Sequence, residues 1–294
     1  MTSSWGLAGL SPRQRARLDQ LYPRAHGIVD HSWPYGITVL EFIDAGRRLL
    51  LKACQDTHHL DREARAHRNW LQPLASDVPE MLGYDAGAGL LVKTFIDGEL
   101  ATGSRYEHDP LVFKQAGELL GRLHRGTVPV LDGHYEHSVL SKTLTWLDRA
   151  PGLAPPEQLS RVQRWLDAFT PSPVEVVPTH GDYHPRNWIG RPDGRIAIID
   201  FGRAGLRPWY TDMVRMEHRD FLGSPQLREA FRQGYRPKGA VPPAGTVDAG
   251  RLLDELMQSL GTVVWAHQVG DQAFEEQGRG MLARTLQGSG FPPH

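Results

Sequence analysis

The sequence predicts an α+β fold in two lobes, a small antiparallel sheet at the N-terminus followed by a larger, mainly helical part. Three observations carry this expectation. Strand-like segments joined by short turns crowd the first third of the chain, helical periodicity dominates the remainder, and 294 residues exceed what one compact core ordinarily holds. The division is expected at residues 1–96 and 97–294.

The elements follow in order. Ser11-Pro12 pairs a capping residue with a first-turn proline and opens a short helix to about Tyr22. Strands are expected over Ala25 to Asp30, Ile37 to Ile43 and Arg48 to Ala53, with Ala45-Gly46 as the hairpin turn and His31 to Gly36 as a loop at the first corner. Lys52 then sits in the apolar run Leu49-Leu50-Leu51-Lys52-Ala53, where a buried ammonium is costly unless paired. A helix from Asp61, read as its cap, through Leu71 offers Glu63 as the partner. Leu90-Leu91-Val92 is a further strand, and Lys93 to Gly98 reads as a connector. Leu111, Val112, Ala116, Leu119, Leu120 and Leu123 recur at helical spacing after Asp109-Pro110, up to His124-Arg125-Gly126. Further helices are expected over 157–169, 211–221, 225–235, 248–268 and 270–287, with a loop from Pro237 to Thr246.

Composition narrows the function. A net charge of −1 provides no long-range field for nucleic acid or an anionic membrane. No run approaches the roughly 18 apolar residues of a membrane span, and Met1 to Gly9 lacks the pattern of a secretory signal. The single cysteine, Cys54, excludes an intramolecular disulfide and fits a reducing, cytoplasmic setting as a buried strand residue. Oligomeric state is not legible.

The chemistry is concentrated in His180-Gly181-Asp182-Tyr183-His184-Pro185-Arg186-Asn187, followed by Asp200-Phe201-Gly202. Phosphoryl transfer from a metal nucleotide asks for a divalent ion held by hard oxygen ligands and a carboxylate that takes the acceptor's proton. Asp182 suits the second role, Asn187 and Asp200 the first. Trp188-Ile189-Gly190 and Ile196 to Ile199, joined by the turn at Arg191 to Arg195, form a hairpin that returns Asp200 to the loop. A competing reading takes His180-x-Asp182-x-His184 as a Zn or Fe site of a hydrolase, although the further ligand clusters of a binuclear phosphoesterase are missing.

The pattern H-G-D-x-x-x-x-N, an apolar strand, Asp, and then Thr211-Asp212 resembles the aminoglycoside phosphotransferase family, a branch of the protein-kinase-like fold that also includes choline kinases. The resemblance implies Asp182 as the catalytic aspartate, Asn187 and Asp200 as Mg2+ ligands, and His180 and Asp212 as supports of the catalytic loop. It implies a Lys52–Glu63 ion pair at the phosphates of ATP, or of GTP, and backbone contacts to the purine around Lys93 to Phe95. Ser32 and Gly36 would cover the phosphates, with the family's glycine pattern only partly met. His184 stands where protein kinases carry a phosphate-binding lysine, and its charge is expected to change near neutral pH. There is no room for an activation loop between Gly202 and Asp212, so the expected partner is a small-molecule substrate.

The favoured acceptor is a hydroxyl of a natural-product antibiotic, an aminoglycoside or a cyclic basic peptide such as capreomycin or viomycin. A metabolic kinase for an amino alcohol, sugar or amino acid, and a nucleotide-binding pseudokinase, are the alternatives. Residues 203–294 hold ten acidic and eleven basic side chains, so a cation-binding patch has to be local. Glu217, Asp220, Asp271, Glu275 and Glu276 are its candidates.

Overall fold

The structure is a computed structural model that describes residues 5, 9–32, 37–235, 248–288 and 291. Gly36 and the Pro237 to Thr246 loop lie outside the described residues.

Helix α1 (Pro12–Leu21) starts at a capping box: Ser11 Oγ accepts from Gln14 N–H and Gln14 Oε1 accepts from Ser11 N–H. Five strands follow as one antiparallel sheet, β1 (His26–Asp30), β2 (Thr38–Asp44), β3 (Arg47–Ala53), β4 (Met81–Asp85) and β5 (Leu90–Thr94), in the order β1-β2-β3-β5-β4. The turn at Ala45-Gly46 has positive φ at both residues, 48° and 76°, which matches the right-handed twist of the hairpin. One face of the sheet packs on α1 through Leu18, Phe42, Leu51 and Trp5. The other receives α2 (His58–Asn69) through Leu60, Ala64 and Leu91, with Cys54 buried beside them.

Two sequence expectations need correction here. Helix α2 begins three residues before Asp61, so this carboxylate lies in the first turn and accepts from Thr57 Oγ1 at 2.8 Å and from Tyr84 instead of capping the helix. Strand β5 runs through Thr94, so Lys93 belongs to the sheet and not to a connector.

The chain then crosses through β6 (Glu99–Leu100) to α3 (Pro110–His124), capped by Asp109, whose side chain accepts from Leu111 N–H. After β7 (Val130–Asp132), α4 (Tyr135–Leu147) and α5 (Pro156–Ala168), strand β8 (Val174–Thr179) leads into the catalytic motif. The expected hairpin is present as β9 (Trp188–Gly190) and β10 (Ile196–Ile198), with Ile189 opposite Ala197. Strand β11 (Gly205–Arg207) returns antiparallel to β8. The helix expected over 211–221 is instead a 3-10 turn, Trp209–Asp212, followed by the single-turn α6 (Val214–Glu217). The chain continues with α7 (Pro225–Tyr235), α8 (Ala249–Val269) and α9 (Gln272–Gln287).

Two cores support this part. The first, under the motif, joins α3, α7 and the hairpin through Phe113, Trp188, Phe201 and Phe231. The second holds α4, α5, α8 and α9 together through Val162, Leu253, Leu256 and Leu282. No helix among the described residues is long and apolar enough to cross a membrane.

Candidate active site

Strand β8 delivers His180, and a single buried carboxylate organises the turn that follows. Asp212 accepts from the N–H of His180 at 2.7 Å through Oδ2 and from the N–H of Gly181 at 2.6 Å through Oδ1. Its Oδ2 also lies 3.1 Å from His124 Nε2, so two α-lobe elements brace one turn. Gly181 has φ of 81°, and a Cβ there would approach the carbonyl oxygen of Arg203 to 2.2 Å, which reserves the position for glycine. His180 Nδ1 accepts from Asp182 N–H at 3.2 Å, so the ring proton resides on Nε2 and is donated to the Ile199 carbonyl at 2.9 Å. Both ring nitrogens serve the backbone, which takes this residue out of the hydrolase ligand set considered from spacing.

The hairpin ties together the segments that carry the three side chains expected to converge. Asn187 Nδ2 donates to the Asp182 carbonyl at 2.8 Å and reaches Asp182 Oδ2 at 3.5 Å. The carbonyl of Asn187 accepts from Ile199 N–H at 3.0 Å, which brings Asp200, the next residue, alongside. Asp200 holds a left-handed conformation, φ 64° and ψ 68°, sparsely populated for residues with a Cβ, and turns the chain into the Phe201–Arg203 3-10 segment.

Asp200 Oδ1 in turn accepts from Lys52 Nζ at 2.6 Å, while Lys52 donates to Glu63 Oε2 at 2.7 Å. Glu63 Oε1 accepts from Lys93. The ladder places Lys52 opposite Leu91 and Leu50 opposite Lys93, so the two lysines share a face of the sheet and flank one carboxylate. Burial alone would lower the pKa of Lys52 and raise that of Glu63. Asp200 and Glu63 overcome it at Lys52, and the two lysines overcome it at Glu63, so both groups are held ionised. At Lys93 burial prevails over its single partner and lowers the pKa.

Lys93 therefore contributes a side chain where a backbone contact was expected. The neighbouring donors are also engaged: Thr94 N–H bonds the Glu80 carbonyl at 2.9 Å and Phe95 N–H the Arg48 carbonyl at 3.1 Å. Neither is open to a purine in this arrangement. Ser32 N–H donates to Asp30 Oδ1 at 2.8 Å and its Oγ accepts from Val39 N–H at 2.9 Å, so at Ser32 only the hydroxyl proton is left for a phosphate.

Asp182 is the focus of the opposite side. Burial would raise its pKa, yet the Arg215 guanidinium paired with Oδ1, followed by His184 and Arg203, holds it well below the usual carboxylate range. Arg215 comes from α6 and was not singled out by sequence, because no spacing rule connects so short a helix to the loop. Burial lowers the pKa of His184, against the pull of Asp182, whose Oδ1 lies 3.3 Å from His184 Nε2. The net shift disfavours the charged ring, against the expectation of a change of charge near neutrality.

The carboxylates considered for a cationic acceptor each have another partner. Glu217 pairs with Arg228 at 2.9 Å, and Glu276 with Arg279 at 3.2 Å. Glu275 pairs with Arg279 and lies 3.2 Å from His267 Nδ1. Asp271 caps α9 by accepting from Phe274 N–H. Asp220, near Arg219 at 3.8 Å, is pushed up to about 6 by burial. These positions form no open anionic patch.

The donor set fits a divalent cation. With the amide nitrogen of Asn187 committed to Asp182, its oxygen is the atom left for a metal, and the Asp200 carboxylate is half exposed. Among the described residues no cluster of three or more His, Cys, Asp or Glu could hold a metal by itself, so phosphate oxygens would have to complete the shell.

Known folds agree with this architecture. A thermostable mutant of the aminoglycoside phosphotransferase APH(4)-Ia is 14% identical and superposes with a TM-score of 0.67 over 92% of this chain and 98% of its own. The macrolide 2'-phosphotransferase type I is 19% identical, with a TM-score of 0.60 over 91% and 97%. The choline kinase LicA from Streptococcus pneumoniae is 14% identical, with a TM-score of 0.64 over 93% and 97%. At such identities these likenesses establish the protein-kinase-like fold. No curated protein matches by sequence. Residues 38–246, which contain Lys52, Glu63, Asp182, Asn187 and Asp200, match the phosphotransferase enzyme family, and the chain belongs to that family.

Proposed function

We propose that the protein transfers the γ-phosphoryl group of ATP, with GTP as the alternative donor, to a hydroxyl of a small molecule. Lys52, oriented by Glu63, would contact the nucleotide phosphates, and Asn187 with Asp200 would hold Mg2+, which would supply neutralisation of the phosphate charge. Asp182 accepts the proton of the acceptor hydroxyl as its oxygen bonds to the γ-phosphorus and the bond to the β-phosphate oxygen breaks, leaving ADP. The observation that supports the reading is the pairing of Lys52 with Asp200 and of Asn187 with Asp182, joined by the backbone bond from Ile199 N–H to the Asn187 carbonyl.

The structural neighbours include proteins named for aminoglycoside, macrolide and choline substrates, so the fold does not choose the acceptor. An antibiotic acceptor is tested by expressing the chain in a sensitive bacterium against aminoglycosides and cyclic basic peptides, with the Asp182→Ala variant as control. Unchanged susceptibility removes the antibiotic role and leaves an amino alcohol, sugar or amino acid. The enzyme reading is tested by ADP formation and by the mass gain of a phosphoryl group on the acceptor. ATP bound but never consumed would make the chain a pseudokinase.

A further inference from the structure

Arg215 stands in a place built to hold it. Its neighbours in sequence, Val214 and Met216, are both 0% exposed, and Met216 belongs to the core that contains Tyr183 and Phe201, so the backbone of α6 is fixed beneath the catalytic loop. Gln258 Nε2 of α8 donates to the Thr211 carbonyl at 3.2 Å and ties the start of the same segment to a long helix. The Phe274 ring from α9 lies 5.6 Å from the guanidinium carbon, within the range of a cation–π contact. Between these supports Arg215 Nη1 donates to Asp182 Oδ1. The two side chains are only 17% and 19% exposed, unlike the solvated pairs that contribute little at protein surfaces.

One short stretch therefore grips the catalytic loop twice. Asp212 accepts from the N–H groups of His180 and Gly181, and three residues later Arg215 takes the side chain of Asp182. The backbone ahead of the carboxylate and the carboxylate itself are held by the same turn.

The two oxygens of Asp182 are loaded unequally. Oδ1 accepts from Arg215 Nη1 and faces His184 Nε2 at 3.3 Å, whereas Oδ2 has only the long contact from Asn187 Nδ2 at 3.5 Å. A carboxylate offers about two lone-pair sites on each oxygen, so Oδ2 keeps room for a hydroxyl and Oδ1 does not.

We infer that Arg215 is a positioning residue for phosphoryl transfer, which fixes the Asp182 carboxylate through Oδ1 and leaves Oδ2 to take the acceptor's proton. The inference rests on the phosphotransferase reading and names the group that aims its base. In the step itself the acceptor oxygen bonds to the γ-phosphorus, the bond from that phosphorus to the β-phosphate oxygen breaks, and the acceptor proton passes to Oδ2. Arg215 contacts neither nucleotide nor acceptor and acts only through Asp182. A base held off its line by about 1 Å loses up to about a hundredfold in rate, which is the scale on which such a residue matters.

The test reads ADP formation by the full chain with Mg2+ and ATP, using water as the acceptor and then kanamycin, capreomycin, ethanolamine, glucose and serine. Arg215→Met is expected to lower kcat by between about tenfold and a hundredfold with KM for ATP unchanged. Arg215→Lys, which restores the charge without the fork, is expected to recover part of the loss. Joined to Asp182→Ala, Arg215→Met is expected to add no further loss, because nothing is left for it to aim. Arg215→Met leaves the Asp182 carboxylate with His184 alone; should that variant fail to fold, Arg215→Lys and the double variant still decide. Equal kcat in the Arg215 variants and wild type, a double variant slower than Asp182→Ala, or a rise in KM for ATP at unchanged kcat overturns the inference. The last of these would give Arg215 a role of its own at the phosphates. A wild-type chain that forms no ADP with any of these acceptors fails the phosphotransferase reading, and this inference falls with it. A wild-type chain that forms ADP as fast as its Arg215 variants keeps that reading and loses this one.

Discussion

The two walls of the cleft handle charge in opposite ways. On the nucleotide wall, Lys52 and Lys93 are matched by Glu63 and Asp200 in a connected, largely buried network. On the acceptor wall, the Asp182 carboxylate is held by Arg215, with His184 Nε2 3.3 Å away. The difference teaches that the first wall is a network of two cations and two carboxylates closed on itself, whereas the second turns on one carboxylate and its guanidinium. A balanced buried network holds geometry whether or not ligand is present, and its worth is specificity of arrangement more than stability.

The comparison breaks most sharply at Asp182. Asp182→Ala is expected to lower turnover by about 10²–10⁴-fold, the range of a lost general base, while ATP affinity changes little. An equal loss of both, in single-turnover and ATP-titration experiments, would place this carboxylate on the nucleotide wall instead. Next in size, Glu63→Ala leaves the buried Lys93 ammonium without a carboxylate and Lys52 with Asp200 alone, and is expected to cost about 3–5 kcal/mol in urea unfolding. A loss below about 1 kcal/mol, as for exposed pairs, would mean that the nucleotide wall is solvated.

Asp254, near the acceptor wall, supplies a pH test. Its folded-state pKa of about 7 lies above its value of about 4 in an unfolded chain, so the folded protein keeps a proton that the unfolded chain has released. Its contribution to stability is full below about pH 4 and is lost as pH rises to about 7. Asp254→Asn is expected to remove this downward component from the pH dependence of Tm, leaving the carboxylates of depressed pKa, Asp182 and Asp200, whose contribution is lost toward acid. Identical pH slopes for variant and wild type would contradict the assignment. The smallest effect belongs to Lys93→Met, which leaves Glu63 one full partner in Lys52. Stability within about 1 kcal/mol of wild type is expected, since burial already disfavours the Lys93 charge. A loss comparable with Glu63→Ala would show that both lysines are required.

Legibility in the sequence followed the same divide. The hairpin that returns Asp200 and the Lys52–Glu63 pair were readable because turn chemistry, strand length and an interrupted apolar run fix them locally, whereas the brace at Asp212 was legible only through the family resemblance. Lys93 carried the same signal, a lysine closing Leu90-Leu91-Val92, but strand ends are poorly marked and two further residues of β5 changed its role. The strand β4 was hidden by its mixed burial, and α4 by the lack of a side-chain cap. Arg215 lies 33 residues beyond Asp182, and nothing in that spacing announces that folding pairs them. The acidic residues proposed for a cationic substrate were visible as a composition, but their arginine partners on the same or neighbouring helices were not.

His180 spends both ring nitrogens on the backbone, accepting from Asp182 N–H with one and donating to the Ile199 carbonyl with the other. Asparagine reproduces the near contact and glutamine the far one; no other side chain spans both. In a saturation library this position should therefore tolerate exchange as poorly as the reacting carboxylate itself, with the damage appearing as a misaligned pair of strand ends instead of a missing functional group.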